Sequence, residues 1–327
     1  MDDFRVSVII PVYRAEEYVA EAAESALQQP QTGEVILVED GLPDGSLAVC
    51  QKLARKHSAV RLLRHSGGGN HGAAASRDLG IRSGTFPLVA FLDADDLYLP
   101  HRFSKTAEVF ASGSQVDGVY EAIGTTFADD KARERWSRLP FREITTVTKS
   151  IAPESLFIEL MKGGSGYFSF DGFTGRQNVF SEAGYFNERL PIAEDTDLMY
   201  KLSAKAKLYP GSLESPIALR RVHSANRITY HLENKREAYE SLARVWQSLL
   251  MWGEQNLTAE QRKVLMHRYI SHLRKIDYFE DFRWRDYLTS RMRICHLAIH
   301  APELLTDTFF WRRIIPSRGL FRVAKHD

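Results

Sequence analysis

The chain has 327 residues, of which 44% are hydrophobic, and its formal net charge is +1. This length predicts about two domains, and the near-neutral charge excludes a general attraction to nucleic acid or to an anionic surface. No apolar stretch approaches the roughly 20 residues that span a bilayer, and two cysteines are too few for a disulfide framework or a thiolate zinc site. With an acidic N-terminus unlike a secretory signal, these features predict a cytoplasmic protein.

The N-terminal part of the chain alternates short apolar runs with amphipathic segments. β-branched or apolar runs predict strands, and apolar residues at helical spacing predict helices. Strands that alternate with helices indicate a Rossmann-like, mostly parallel sheet built from βαβ units and flanked by helices. The predicted strands cover residues 7–12, 35–38, 60–63 and 88–92, and the predicted helices cover residues 15–29, 47–57 and 73–82.

Acidic residues follow the fourth predicted strand directly, in the segment Asp93-Ala94-Asp95-Asp96. Residues at the carboxyl end of a buried parallel strand emerge at the rim where open α/β sheets bind ligands. An Asp-x-Asp pair supplies oxygen ligands to a hard divalent cation and leaves coordination sites for phosphate. The position of this segment therefore favours a metal-assisted phosphate site over a solvated turn.

Between the acidic segment and residue 230 the pattern is looser. A charged stretch at residues 129–138 predicts an exposed loop or a short helix, and a glycine-rich stretch at residues 163–166 precedes an aromatic one. His223 directly follows the last predicted strand of this part. The other predicted elements are a strand over residues 118–124, a helix over residues 195–205 and a strand over residues 217–222.

Beyond about residue 230 only helical spacing remains, so we predict two domains, residues 1–230 and an all-helical extension of residues 231–327. Residues 262–327 contain 14 Lys or Arg and 7 Asp or Glu, a net charge of +7. Basic residues beside bulky apolar ones suit a helix that lies peripherally on an anionic membrane. They equally suit a helical cap on the first domain or a contact in a homo-oligomer.

Five separated segments of the chain occur in the order of one known pattern: residues 7–13, 38–41, 70–80, 92–96 and 193–197. In this combination, the sequence over about residues 4–225 resembles the family 2 glycosyltransferases of the GT-A fold. The resemblance implies an α/β catalytic domain that takes a sugar from a nucleoside diphosphate sugar, with a UDP-sugar favoured. It does not extend to the helical C-terminal residues.

The resemblance implies that the ends of the first two strands contact the nucleobase. Pro11 and Tyr13 follow the first strand, where the aromatic ring can flank a base or pack on the next helix. Asp40 ends the second strand, where its carboxylate can accept the imide N–H of uracil or serve a turn. The family usually has two aspartates here, whereas this chain has Glu39 and Asp40, so the second acid is intact.

The resemblance further implies that residues 70–80 approach the phosphates of the donor. Gly72 lets the backbone come close to a ligand, and the helix that follows points its N-terminal amides at the rim. Arg77 is implied to reach the diphosphate or to position Asp93, which contacts the nucleoside or its ribose. Asp78 departs from the asparagine that family members commonly have at this point.

The same comparison implies a divalent metal ion that bridges the diphosphate. Asp95 is the implied carboxylate ligand, and His223 is a candidate extra ligand because family members often carry a histidine after a late strand. Carboxylates suit Mg²⁺, and carboxylates with an imidazole also suit Mn²⁺, so both ions stay open. Asp96 is predicted to be structural.

The implied reaction is a single displacement at the anomeric carbon that inverts its configuration. Asp195 is the predicted base that takes the proton of the acceptor hydroxyl, and Glu194 is predicted to contact donor or acceptor hydroxyls. In the alternative interpretation, these acids only favour the dipole of the helix that begins there. Gln177, Asn178 and residues 163–166 are predicted acceptor contacts.

Two other functions stay open. A nucleotidyltransferase also binds metal through paired acids, but it typically has a glycine-rich phosphate loop after its first strand, and residues 11–15 contain no glycine. A catalytically silent sugar-nucleotide-binding module is disfavoured by the intact acids. The predicted partners are a nucleotide-sugar donor and a hydroxyl of a glycan, glycolipid or protein acceptor. No nucleic-acid motif accompanies the basic tail, and the lack of membrane spans predicts one sugar per encounter.

Overall fold

A computed structural model describes the greater part of the chain. The residues it describes are 4–41, 44–113, 115–138, 143–224, 226, 235–275, 284–300, 307, 308 and 310. The chain divides into two compact units, Met1–Lys235 and Arg236–Asp327. The boundary predicted between residues 230 and 231 lies outside the described residues.

The first unit alternates strands and helices through most of its length, as predicted for an α/β domain. Its helices are α1 (Val19–Leu27), α2 (Ser46–Lys56), α3 (Gly72–Ser83), α4 (Ser104–Ser112), α5 (Asp130–Ser137), α6 (Pro153–Lys162), α7 (Gln177–Ala183) and α8 (Glu194–Lys205). Its strands are β1 (Val6–Val12), β2 (Thr32–Glu39), β3 (Val60–Arg64), β4 (Leu88–Phe91), β5 (Leu97–Tyr98), β6 (Gly118–Tyr120), β7 (Ile123–Phe127), β8 (Phe173–Arg176), β9 (Leu208–Pro210) and β10 (Ala218–Val222).

Seven of these strands form one sheet in the order β3-β2-β1-β4-β8-β6-β9. Strand β1 lies parallel to β2 and to β4, and β2 lies parallel to β3. Strand β8 is antiparallel to both of its neighbours, β4 and β6. The prediction of a mostly parallel sheet flanked by helices is therefore confirmed, with one reversed strand in its centre.

A smaller sheet has the order β5-β10-β7, in which β10 is parallel to β7 and antiparallel to β5. The single strand predicted over residues 118–124 is wrong in one respect, because it is divided between the two sheets. Glu121 lies between β6 and β7, and its buried side chain forms an ion pair.

The core of the large sheet is apolar on both faces. Val8 and Ile10 of β1 lie in one buried cluster with residues of α1 and α2. Ile9 points the other way, towards α3, where a Cβ atom added to Gly80 would lie only 2.4 Å from the Ile9 Cγ2 atom. Only glycine allows α3 to approach the sheet this closely, so the position of α3 is fixed by backbone packing.

A buried ion pair joins α4 to the two sheets. The Arg102 Nη1 atom lies 2.9 Å from the Glu121 Oε2 atom, and both side chains are fully buried. Glu121 also accepts hydrogen bonds from the Thr106 hydroxyl at 2.6 Å and from the Ser212 backbone N–H at 3.1 Å. Buried charges are tolerated when their hydrogen-bonding capacity is used in this way. The sequence pattern gave no sign of this pair.

The second unit is helical where the structure describes it, with α9 (Lys235–Asn256), α10 (Ala259–Lys275) and α11 (Trp284–His300). A capping box opens α10, where Thr258 and Gln261 exchange hydrogen bonds of 3.0 and 3.2 Å. Among the described residues, no helix combines the length and the apolar character that crossing a membrane requires. Much of the basic C-terminal stretch, residues 262–327, lies outside the described residues, including Arg312, Arg313, Arg318 and Arg322.

Asp78 is a buried carboxyl group on α3. Its Oδ1 atom accepts the backbone N–H of Phe186 at 3.1 Å. Burial raises the pKa of Asp78 to about 7 and outweighs the lowering effect of this hydrogen bond. The folded chain keeps the proton of the Asp78 carboxyl group to a higher pH than the unfolded chain does. The protonated carboxyl group therefore makes its full contribution to folding stability below about pH 4. That stability is lost as the pH rises through about 7.

We expect Asp78→Asn to reduce this pH dependence, because the amide keeps an acceptor oxygen for Phe186 and cannot ionise. Thermal unfolding of both proteins at pH 5 and pH 8 measures the effect. The stability of the variant relative to the wild type should rise between pH 5 and pH 8, by up to a few kcal/mol. The same stability difference at both pH values would contradict a buried ionisable role for Asp78.

Candidate active site

The carboxyl end of the large sheet gathers most of the predicted site residues, and Arg77 of α3 connects them. The Arg77 Nη2 atom lies 2.7 Å from the Asp93 Oδ1 atom, and its Nη1 atom lies 3.1 Å from the Glu194 Oε1 atom. The Arg77 side chain is only 8% exposed. One guanidinium therefore brings the acidic segment after β4 and the acidic start of α8 to the same place.

Arg77 stays charged in this setting. Burial by itself lowers the pKa of the guanidinium, but the Asp93 and Glu194 carboxylates outweigh burial and raise this pKa above its usual value. With its two terminal nitrogens on carboxylates, Arg77 acts in this structure as a positioning group for Asp93 and Glu194. A contact with a diphosphate, the other role predicted for it, stays a prediction.

Asp95 and His223 lie together, as expected for the two predicted metal ligands. The His223 Nε2 atom is 2.9 Å from the Asp95 Oδ2 atom, and the Asn226 side-chain amide donates to the same oxygen at 3.1 Å. The His223 ring also packs against Tyr18, with 4.9 Å between ring centroids. A carboxylate beside an imidazole is a suitable donor pair for Mn²⁺ and also admits Mg²⁺. Metal binding by these two residues stays a prediction.

A second group of acids lies next to this pair. One carboxylate oxygen from each of Asp93, Asp96 and Asp171 lies within 4.8 Å of the other two, so this cluster could also hold a divalent cation. Asp171 lies two residues before β8 and accepts the backbone N–H of Asp93 at 3.0 Å. Asp96 accepts the backbone N–H of Arg221 at 2.7 Å, which supports its predicted structural role. Asp171 was not predicted from the sequence.

The two buried acids of this cluster have raised pKa values. Burial and the neighbouring Asp171 raise the pKa of Asp96 well above its usual value. Burial and Asp93 raise the pKa of Asp171 to about 6, although a hydrogen bond from Asp96 lowers it. Metal binding requires ionised carboxylates, so these raised pKa values oppose a cation at the cluster.

Asp40 and Gly72 meet at the start of α3. The two Asp40 carboxylate oxygens accept the backbone N–H groups of His71 and Gly72, at 2.7 and 2.8 Å. Asp40 thus caps the start of α3. Its contact with uracil stays a prediction, and it would require one of these carboxylate oxygens to accept a further hydrogen bond. Gly72 has φ +89°, and a Cβ atom there would meet nothing within 4 Å. The backbone beside Gly72 is therefore open to a ligand.

Tyr13 lies just beyond β1, where its ring is 44% exposed. The Arg14 guanidinium lies 5.4 Å from the centre of this ring. Pro11 belongs to β1 and pairs with Val38 of β2. An exposed ring at this edge of the sheet can stack on a flat ligand, which is the role predicted for Tyr13.

Glu194 and Asp195 open α8 in different environments. Glu194 is buried and held by Arg77, whereas Asp195 is exposed and accepts the backbone N–H of Thr196 at 2.6 Å. Ala193, directly before them, has φ +62°, a left-handed conformation that costs energy for a residue other than glycine. The turn therefore places one acid inward and presents the next one outward.

Gln177 and Asn178, the predicted acceptor contacts, are not brought to this site. The Gln177 backbone N–H donates to the carbonyl of Pro87 at 2.9 Å, at the amino end of β4. The Asn178 side chain donates to Glu182 at 2.8 Å. Because β8 is antiparallel to β4, the residues that follow β8 emerge at the opposite edge of the sheet.

Comparison with known proteins finds relatives that are described as glycosyltransferases. A protein of Nostoc sp. described as uncharacterized glycosyltransferase alr2836 is 27% identical over 225 residues, which cover 68% of this chain and 66% of that protein. The Escherichia coli protein described as uncharacterized glycosyltransferase YibD is 25% identical over 313 residues, which cover 92% of this chain and 81% of YibD.

Solved structures share the fold. A structure of residues 1–349 of S. aureus TarS in complex with UDP-GlcNAc has a TM-score of 0.59 at 18% identity and covers 84% of this chain and 73% of that one. The mannosyltransferase PcManGT from Pyrobaculum calidifontis, in complex with GDP-Man and Mn²⁺, has a TM-score of 0.56 at 16% identity and covers 95% and 85%. At these identities the likeness shows the fold alone, and it confirms the predicted GT-A type architecture.

The profile of the family described as Glycosyl transferase family 2 matches residues 7–182. The match spans β1 to α7 and includes Asp40, Arg77 and the acidic segment at Asp93 and Asp95. It covers more than half of the chain. The chain therefore belongs to glycosyl transferase family 2, a family of glycosyltransferases.

Proposed function

We propose that the protein is an inverting glycosyltransferase that moves one sugar from a nucleoside diphosphate sugar to an acceptor hydroxyl, in glycan or glycolipid biosynthesis. One observation carries the proposal: Arg77 bonds both to Asp93, on the predicted donor side, and to Glu194, beside the predicted base. A displacement reaction needs these two groups on either side of a single reacting carbon. TarS, a structural neighbour, binds UDP-GlcNAc, and PcManGT binds GDP-Man with Mn²⁺, which supports a donor of this class.

The nucleotide would lie along the carboxyl ends of β1 and β2. In this proposal Tyr13 stacks on the base and Pro11 borders it, while Asp40 holds the start of α3 against the nucleotide. The open backbone beside Gly72 admits the phosphates. UDP is the favoured donor nucleotide, and GDP is the alternative to test.

Asp95 and His223 would hold a divalent ion at the diphosphate. Their carboxylate oxygen and imidazole nitrogen are already adjacent, and both side chains are partly exposed to a ligand. When bound, a Mg²⁺ or Mn²⁺ ion supplies positive charge that stabilises the departing nucleoside diphosphate. The cluster of Asp93, Asp96 and Asp171 is the alternative position for such an ion.

Asp195 is the proposed base. The acceptor oxygen attacks the anomeric carbon from the face opposite the nucleotide, its proton passes to the Asp195 carboxylate, and the bond from the anomeric carbon to the phosphate oxygen breaks. The configuration at that carbon is inverted. Glu194, fixed by Arg77, sets the position of the first turn of α8 and therefore of Asp195.

A catalytically silent module that binds a sugar nucleotide is the second candidate. It would use the same donor residues without turnover, so nucleotide binding alone does not separate it from an enzyme. Loss of turnover in a base variant that still binds nucleotide does separate them. Family membership disfavours the third candidate, a nucleotidyltransferase.

We expect Asp195→Asn to lower kcat by about 10²- to 10⁴-fold while nucleotide affinity stays near that of the wild type, because the amide cannot take a proton. The measurement is release of nucleoside diphosphate from UDP-GlcNAc, UDP-glucose and GDP-mannose with a panel of glycan acceptors. Glu182→Gln, an exposed acid on α7, is the matched control and should keep wild-type turnover. Full activity of Asp195→Asn would remove Asp195 from the base role.

We expect Mn²⁺-dependent binding of one nucleotide among UDP, GDP and dTDP, and its loss in Asp95→Ala, since that variant lacks the proposed carboxylate ligand. Isothermal titration with and without Mn²⁺ measures both effects. Asp130→Ala, at an exposed position on α5, is the control for loss of negative charge.

Two results would change this assignment. If Asp95→Ala keeps metal-dependent binding and Asp171→Asn loses it, the ion belongs to the buried cluster instead. If the wild type binds none of the three nucleotides under any metal condition, the proposed enzyme is refuted.

A further inference from the structure

Strand β10 carries two consecutive arginines with different surroundings. Consecutive side chains of a strand point to opposite faces. The Arg221 Nη2 atom lies 2.6 Å from the Glu21 carboxylate, and its Nε atom donates to the backbone carbonyl of Asp95 at 3.1 Å. The Arg220 guanidinium makes a single hydrogen bond within the described part of the chain, from Nη1 to the Thr145 hydroxyl at 3.4 Å. Arg221 is thus engaged by the protein, and Arg220 is largely not.

Arg220 remains charged beside the acidic cluster. Burial disfavours the charged guanidinium and lowers its pKa, but Tyr167 and the carboxylates of Asp96, Asp171 and Asp93 outweigh burial and raise this pKa above its usual value. None of these carboxylates lies within ion-pair distance of Arg220 in the described structure. An arginine offers five N–H donors, and the Thr145 hydroxyl uses one of them here.

Tyr167 is held next to Arg220 by the glycine-rich loop. Gly166 has φ +74°, and a Cβ atom there would lie 2.1 Å from the Thr146 carbonyl oxygen. The Tyr167 backbone N–H donates to that same carbonyl at 3.2 Å, so the loop is paired directly to the segment that carries Thr145. The Tyr167 ring is nevertheless 41% exposed. A fixed backbone with an exposed phenol is an arrangement suited to contact a ligand.

We propose that Arg220, with the Tyr167 hydroxyl, forms a subsite for a phosphate group beside the Asp93 segment. A planar guanidinium can donate two parallel N–H hydrogen bonds to two oxygens of one phosphate. The single 3.4 Å hydrogen bond to Thr145 leaves other N–H groups of Arg220 for this purpose. This proposal rests on the proposed function, because the phosphate comes either from the donor diphosphate or from an acceptor that carries a phosphate near its reacting hydroxyl.

Nearby carboxylates would oppose an anion here, and cations offset them in part. Arg77 pairs with Asp93 at 2.7 Å. Arg220 itself lies beside Asp96 and Asp171 and offsets part of their charge. A divalent ion at Asp95 and His223 would add the positive charge that makes this place attractive to a phosphate.

Titrations on three variants test the subsite. Arg220→Gln removes the charge, and Arg220→Lys keeps the charge without the planar fork. Arg138→Gln is the matched control, because Arg138 is exposed and its ion pair within the described residues is with Glu134 of α5. The probes are UDP and UMP with Mn²⁺, or GDP and GMP if the guanine nucleotide binds more tightly. Inorganic phosphate is then titrated into the nucleotide-saturated protein.

A loss of about 10-fold or more in affinity for the diphosphate, with a smaller loss for the monophosphate, would show that Arg220 of the wild type binds the donor. Unchanged nucleotide affinity with loss of inorganic phosphate binding would show that it binds a phosphate of the acceptor. In either case Arg220→Lys should recover part of the loss, and Arg138→Gln should match the wild type.

Wild-type affinity of Arg220→Gln for all three probes overturns the subsite, and so does a variant that loses only thermal stability, since Arg220 would then be a counter-charge for the acids. Circular dichroism shows whether each variant is folded. Nucleotide binding by the wild type together with an unaffected Arg220→Gln refutes the subsite but leaves the proposed function standing. Absence of any nucleotide binding by the wild type refutes both.

Discussion

A guanidinium between two carboxylates is the interaction on which the arrangement of the site depends. Arg77 is placed by α3, and α3 is placed by the close approach of Gly80 to Ile9 of the sheet. The acids it binds belong to two segments that are far apart in the chain and have no other direct link among the described hydrogen bonds. Removing this cation would take from the buried Glu194 its ion pair with Arg77, and breaking a buried ion pair is destabilising. The geometry at the sheet edge is therefore set by the packing of one helix.

Charge balance is the second constraint on this site. Four aspartates, Asp93, Asp95, Asp96 and Asp171, lie close together at one edge of the sheet, where like charges repel. The protein reduces this repulsion in different ways: an ion pair for Asp93, an imidazole and an amide for Asp95, and raised pKa values, which favour the neutral forms, for the other two. Each aspartate thus has its own electrostatic environment, although three of them are neighbours in the sequence.

Local patterns in the sequence were sufficient for the parallel part of the fold. Buried parallel strands are short apolar runs, and the residues after them reach a common edge, so the positions of Asp40, Asp93 and Asp95 followed from periodicity alone. The meeting of Asp95 with His223 was anticipated through the family resemblance. What periodicity could not provide was the direction of β8, because strand direction depends on pairing between distant segments.

That reversal explains both errors at the site. Asp171 precedes β8, so a search for acids after strands misses it. Because β8 runs antiparallel to its neighbours, the residues before it lie at the same edge as the residues after β4. Gln177 and Asn178 follow β8 and were assigned to the site, yet they lie at the other edge. The buried ion pair of Arg102 and Glu121 was missed for a related reason. The two residues are separated in the sequence, and no local pattern around either one indicates its partner.

The reversed strand also separates the site into two parts with different origins in the chain. The parallel strands β1, β2 and β4 supply the edge proposed for the donor, and the segment between β7 and β8 returns to that edge from the outside, carrying Tyr167 and Asp171. Insertions or exchanges in this returning segment would leave every parallel strand pair intact. Under the proposed function, one contiguous stretch of chain could therefore change the contacts with the acceptor while the edge proposed for the donor keeps its strands.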